Sequence, residues 1–232
     1  MGNKLPSVDE STATADQHVQ EVKRVPPRTQ VGQQKSVARE YAEALIVALL
    51  LAFFIRSFIV QAFKFPSGSM LPTLQIGDHI LVSKFLYGLR LPYPVETTVW
   101  EWGQPDRGDV IVFVYPRDRS KDFIKRVVAV AGDSVEIRHK AVYINGAKVD
   151  DPHATFKYGD QEIPGPRDNL GPMTVPEHKL FVMGDNRDES HDGRFWGFVD
   201  LDDVKGKAFL IYWSWNSEAS WVRWDRIGDL IY

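Results

Sequence analysis

Residues 1–40 show no apolar period. Pro, Gln, Ser, Thr and scattered charge dominate, and the stretch reads as a flexible tail. From Tyr41 the pattern changes. Ala44–Ile55 (ALIVALLLAFFI) is uninterrupted apolar sequence, which resumes after Arg56 and Ser57 with Phe58–Val60. Ala and Leu favour helix, Gly and Pro are absent, and about 20 helical residues cross a bilayer's hydrocarbon. Residues 41–63 are therefore expected to form an uncleaved transmembrane anchor, with Arg56 reaching the headgroups near one end. A buried helix of a soluble domain is the rival reading, because Arg56 interrupts the run. A cleaved signal peptide fits less well: a polar leader precedes the segment, and no small-residue cleavage pattern ends it. Lys23, Arg24, Arg28, Lys35 and Arg39 precede the segment, whereas Lys64 stands alone just after it. That asymmetry puts the N-terminus in the cytoplasm and residues 64–232 outside.

Beyond the anchor the period shortens to that of strands. HILVS (79–83), DVIVFVY (109–115), FIKRVVAV (123–130), SVEIR (134–138), AVYI (141–144), KLFVM (179–183) and AFLIYW (208–213) are rich in β-branched or aromatic residues. Gly, Pro or Asp separate them. Asn145–Gly146 predicts a tight turn after Ile144. Pro- and Gly-rich residues 84–108 and 150–177 read as excursions from the central sheet. The expected fold is one all-β or mostly β domain. Its last stretch, with Trp215, Trp221, Trp224, Ile227 and Ile231 irregularly spaced, either closes the core or lies on a membrane.

Composition changes this picture little. A net charge of -3 gives no reason to expect a nucleic-acid partner. The absence of cysteine excludes disulfides, thiolate ligands and a cysteine nucleophile.

Three segments offer chemistry. In PSGSM (Pro66–Met70), small residues around a serine permit a tight turn and close approach of a peptide backbone. Lys125 is the second. In a strand over 123–130, Phe123, Lys125, Val127 and Ala129 share one face, so this lysine sits in an apolar row. Burial lowers a lysine pKa from about 10.4, and reaching pH 7 takes about 4 kcal/mol. A lysine so poised can take the proton of a serine hydroxyl. A lysine snorkelling at a sheet edge is the ordinary alternative. The third segment is Gly184–Gly197 (GDNRDESHDGRFWG), where Asp185, Arg187, Asp188, Asp192 and Arg194 can pair with one another and brace a loop. Asp-x-Asn there lacks the glycine and closing glutamate of a calcium loop, and no other metal-ligand spacing appears. His191 has no third partner that would complete a Ser–His–Asp triad.

Taken in order, PSGSMLPTLQIGD (66–78), DVIVFVYP (109–116), KRVVAVAGD (125–133) and GDNRDESHDGRFWG (184–197), following an N-terminal anchor, resemble the signature blocks of bacterial type I signal peptidases, also called leader peptidases. The long 84–108 excursion and single anchor are closer to the Gram-negative-type enzymes. The resemblance covers about residues 41–232. It implies a largely antiparallel β domain with an inserted β region and a membrane-bound serine endopeptidase. Such an enzyme removes signal peptides from secretory preproteins after small residues, usually Ala-x-Ala. By the same resemblance Ser69 is the nucleophile and Lys125 the general base. The Ser67 hydroxyl and the Ser69 N–H form the oxyanion hole, and Ser190 orients the lysine. Asp185, Asp192 and Arg194 are structural residues near the site. Gly193 departs from the serine often seen at that place, with little effect expected on mechanism. No cofactor or metal is implied. The bilayer, and proximity to the export translocon, are expected partners at the bacterial inner membrane, with the catalytic domain periplasmic. The Gly68 region and the Ile80–Ser83 strand are candidate edges for an extended substrate. Met70 and Leu71 either touch lipid or line a pocket. The rivals are a self-cleaving or dedicated-client Ser–Lys peptidase and a membrane-tethered β binding module. The module leaves the Ser-Gly-Ser loop and the lysine in an apolar strand unexplained.

Overall fold

The computed structural model describes residues 37–64, 66–90 and 98–232. The tail expected over residues 1–40 lies almost wholly outside them. The chain divides into two compact units, 1–43 and 44–232. Of the first, residues 37–43 are described, the opening turns of a helix in which Arg39 Nε donates to Glu43 Oε1 at 2.8 Å.

That helix, α1 (Val37–Phe54), has no buried residue, and a wider turn over Ile55–Ile59 continues it. Together Val37–Ile59 make 23 residues, long and apolar enough to cross a membrane. At 1.5 Å per residue they rise roughly 34 Å. An apolar helix with no face against the protein needs another apolar medium. The helix begins before Tyr41 and stops short of Phe63, because Val60–Lys64 is strand β1. A short apolar run does not distinguish helix from strand by periodicity. Here antiparallel pairing decides, with Phe63 opposite Ile80 and Val60 opposite Ser83.

The further strands are β2 (Asp78–Ser83), β3 (Gly88–Arg90), β4 (Thr98–Glu101), β5 (Val110–Val114), β6 (Asp122–Val130), β7 (Ser134–Arg138), β8 (Ala141–Ile144), β9 (Ala147–Lys148), β10 (Leu170–Thr174), β11 (Lys179–Met183), β12 (Val199–Asp200), β13 (Val204–Asn216) and β14 (Trp221–Val222). The main sheet runs β1-β2-β13-β5-β6-β11-β12, with β14 on β13, and its pairs are antiparallel. A second sheet, β10-β7-β8-β9, takes SVEIR and AVYI out of the central sheet and joins them to part of the 150–177 excursion. Asn145 and Gly146 form the expected turn between β8 and β9, both with positive φ. The 84–108 excursion contributes the β3–β4 pair.

Three apolar clusters fill the domain. Met70, Leu74, Ile80, Val82, Val110, Ile124 and Ile211 belong to one; Ile111, Phe113, Val127, Leu180 and Val182 to another. The third joins Val128, Ala129 and Phe181 to the second sheet's Val135, Ile137 and Val142. Ala129 thus leaves the row of Phe123 and Val127. A register shift between Phe181 and Val182 opposite β6 reverses the alternation, as a bulge does, and Val130 takes its place. At the C-terminal end Ile231 enters the first core cluster, whereas Trp221 and Trp224 remain exposed.

Candidate active site

Ser69 lies in the connection from β1 to β2. The turn is closed by Leu71 N–H donating to Gly68 O (3.2 Å) and Leu74 N–H to Met70 O (2.8 Å). Met70 and Leu74 are buried in the core, which settles Met70 as a packing residue and pins the loop next to Ser69. Lys125 lies on β6, paired with Ile111 of β5. Its side chain runs inward, only 4% of the residue is exposed, and Nζ stands 2.6 Å from Ser69 Oγ. Nζ also donates to Ile124 O at 2.9 Å, and the Phe123 ring centroid lies 5.5 Å away. Burial lowers the Lys125 pKa to about 8, against the opposing pull of Asp192 and Asp185. At neutral pH a usable fraction of the amine is unprotonated.

Ser67 is exposed, and its Oγ accepts from the Ser69 N–H at 3.3 Å. The two expected oxyanion donors are thus adjacent. Ser190 is buried, and among the described residues its Oγ meets no partner at full hydrogen-bond geometry, Lys125 included, although it lies near enough to Asp192 to help hold that carboxyl down. Gly184 explains its placement. A Cβ at Gly184 would overlap both Ser190 Oγ and Ser69 O, so the absent side chain lets the polar loop close on the serine loop. Gly184→Ala is expected to destabilise the protein by about 1–3 kcal/mol through overpacking. Urea unfolding of the variant, compared with Gly171→Ala, where a Cβ meets nothing within 4 Å, checks this. Equal stability of the two variants counts against it.

The charges of the polar loop mostly reach outward rather than to one another. Asp185 takes a two-pronged contact from Arg126, Nε and Nη2 each at 2.8 Å, and accepts from Thr73 Oγ1 at 2.5 Å. Arg187 pairs with Asp151, and Asp188 with Lys140 at 3.1 Å. Only Asp192 and Arg194 pair within the group, Nε and Nη2 each donating at 2.9 Å. Burial pushes the Asp192 carboxyl up, but the Arg194 guanidinium and the Gly184 N–H outweigh it and hold the group below the usual range. Gly193 begins the short α2 (Gly193–Trp196). A Cβ there would stand 2.9 Å from Val182 O, so the glycine fits a close backbone approach. His191 is exposed, with its ring against Phe195 and Nε2 3.5 Å from the Tyr115 hydroxyl.

Thr155 and Asn186 also touch the serine loop. Thr155 Oγ1 donates to Leu71 O at 3.0 Å, and Asn186 to Gly68 O and Ser69 O, each at 3.1 Å. Asn186 stood in the quoted polar block, but nothing in the 150–177 composition marks Thr155. The expected substrate edge at Ile80–Ser83 is occupied on both sides, by β1 and β13. The open edge is on β6. β11 pairs with it only from Arg126 onward, leaving Asp122–Lys125 paired on the β5 side alone among the described strands. No group of three His, Asp or Glu among the described residues is placed to hold a metal ion.

An antiparallel sheet that brings a serine hydroxyl onto a buried, easily neutralised lysine has the makings of a hydrolase. Residues 38–213 match the family model described as signal peptidase, peptidase S26. Signal peptidase I of Pseudomonas aeruginosa is 38% identical over 207 residues, covering 76% of this chain and 72% of that protein. Signal peptidase I of Aquifex aeolicus is 33% identical, covering 76% and 84%. A crystal structure of a signal peptidase I from Enterococcus faecalis V583 is 32% identical, with a TM-score of 0.37, covering 45% of this chain and 96% of that one. The chain belongs to the bacterial type I signal peptidases, serine endopeptidases of the S26 family that remove signal peptides from preproteins.

Proposed function

We propose that this chain cleaves exported preproteins after Ala-x-Ala by a Ser69–Lys125 mechanism. The observation that carries the reading is the 2.6 Å approach of Ser69 Oγ to the buried Lys125 Nζ. Neutral Lys125 accepts the Ser69 proton as Oγ attacks the scissile carbonyl carbon. The carbonyl oxygen becomes an oxyanion that inserts between the Ser69 N–H and the Ser67 hydroxyl, replacing their mutual bond. As the tetrahedral centre collapses, the C–N bond breaks and the Lys125 ammonium protonates the leaving amine. Lys125 then takes a proton from water, whose oxygen attacks the acyl ester, and as the ester C–O bond breaks Lys125 returns that proton to Ser69 Oγ. Ser190, buried with its hydroxyl not committed to a geometrically complete bond, orients the Lys125 amine during these transfers. Asp185, Asp192 and Arg194 keep the polar loop against the serine. An extended substrate adds to the open Asp122–Lys125 edge.

Val37–Ile59 is the anchor, with the basic N-terminal flank in the cytoplasm and the β domain on the periplasmic face of the bacterial inner membrane. There the enzyme meets preproteins beside the export translocon. The test is incubation of the full-length protein in detergent with a preprotein carrying one Ala-x-Ala site, the products read by mass spectrometry. A single cut after the second alanine, absent in Ser69→Ala, is expected. Failure of the folded protein to cut several such preproteins overturns the reading.

A further inference from the structure

The Gly68–Ser69 peptide carries the proposed oxyanion donor on one side and is held on the other by the Leu71 N–H of its own turn and by Asn186, which has no role in the mechanism above. A trans peptide points its C=O and N–H in opposite directions. Fixing Gly68 O therefore fixes the direction of the Ser69 N–H. Asn186 Nδ2 donates to Gly68 O at 3.1 Å, with Glu189 Oε2 at 3.4 Å. Both neighbours accept only, so the amide nitrogen must face them. Asn186 is 5% exposed, and its backbone is locked by a bridge to Thr155, itself tied to Asp185 O and the Arg187 N–H.

We propose that Asn186 is a positioning residue whose side-chain amide aims the Ser69 N–H at the substrate oxyanion. The inference rests on the Ser69–Lys125 reading. Attachment of the loop does not require this amide. The Asn186 main-chain N–H already holds Ser69 O, Thr155 holds Leu71 O, and Met70 and Leu74 are buried. Gly68 O also accepts the Leu71 N–H at 3.2 Å, a bond within the loop itself; what the amide adds is the tie that fixes the rotation of this peptide plane against the polar loop.

The test uses full-length Asn186→Ala in detergent with the same preprotein. A lost oxyanion donor lowers kcat by about 100- to 1,000-fold, and a misaimed one should cost about 10- to 100-fold, with KM within about twofold. A peptide aldehyde, which forms a tetrahedral adduct with the serine, should bind weaker by the same factor. The corresponding peptide alcohol, which forms none, should bind as before, and the midpoint of the pH–rate profile should stay where it is. If kcat is unchanged, if aldehyde and alcohol weaken together, or if the midpoint moves, the positioning role is overturned. Should the alanine variant not fold, Asn186→Leu removes the donor at similar size without setting a charge beside Glu189 and Lys125, and carries the same expectations. Survival of cleavage in Ser69→Ala sinks the underlying mechanism instead, which separates the two failures.

Discussion

Lys125→Met is expected to lower kcat by about ten-thousandfold or more while making the protein more resistant to heat. The loss follows from removing the base on which both proton transfers depend. The gain follows from the same burial that tunes the base. Burial, the dominant cause, brings the Lys125 pKa from 10.5 to about 8. At about 1.4 kcal/mol per unit, that is roughly 3 kcal/mol against folding at neutral pH. The unfolded chain keeps this proton up to about pH 10.5 and the native state only to about 8, so the deficit is full below 8 and shrinks as pH rises between the two. Methionine carries no proton and fills similar space. It loses the bonds to Ser69 Oγ and Ile124 O, which offsets part of the gain. A net 1–2 kcal/mol would raise Tm by about 2–8 °C at pH 7, and the rise should diminish at pH 10. A variant that melts below the wild type at pH 7 contradicts the account. In the wild type, kcat/KM should climb with pH to a midpoint near 8 as the amine deprotonates.

Asp185→Ala is expected to have the largest effect on stability. The carboxylate is fully buried, and so is its partner Arg126. Removing one member of such a pair strands the other and costs about 3–5 kcal/mol. Arg126 keeps its bonds to Gly108 O and Tyr232 O, which limits the damage, but Thr73 Oγ1 loses its acceptor at 2.5 Å. Tm should fall by roughly 10 °C. Catalysis should weaken too, since Arg126 adjoins Lys125 on β6 and Thr73 ties the serine loop to Asp185. Thermal melts of Asp185→Ala, Arg126→Met and the Asp185→Leu/Arg126→Met pair test the origin of the loss. The double variant should recover much of it, because no charge is then left unpaired. If the double loses as much as the sum of the singles, the ion pair is not the cause.

Strand alternation put Lys125 in an apolar row but left a lysine snorkelling at a sheet edge as the ordinary alternative, and only its burial in the folded domain sets that alternative aside. The same alternation misplaced Ala129, since the extra residue of the bulge, Val128 on β6, shows only in the pairing with β11 and not in the composition of β6. Val60–Phe63 read as helix because so short a stretch, apolar but for Gln61, fits either period until pairing with β2 is known. The polar loop was recognised, but not the destinations of its charges. Arg126 and Asp151, which neutralise Asp185 and Arg187, lie 59 and 36 residues away in sequence. Long-range closure of this kind belongs to topology. It also explains why SVEIR and AVYI had the composition of central strands and yet built a second sheet.

The wide turn at Ile55–Ile59 passes directly into β1, with no linker between them, and Ser69 follows Ile59 by only ten residues. Even fully extended, ten residues reach no more than about 36 Å. On the anchored reading, the nucleophile works on a leash, confined to a thin slab above the lipid. A client whose own apolar segment holds it in the same slab meets the serine by lateral search in two dimensions, at an effective concentration that no dissolved peptide of the same sequence can match. Selectivity for preproteins over the many soluble chains that contain Ala-x-Ala would then arise largely from where the enzyme is tied, with little demanded of the pocket.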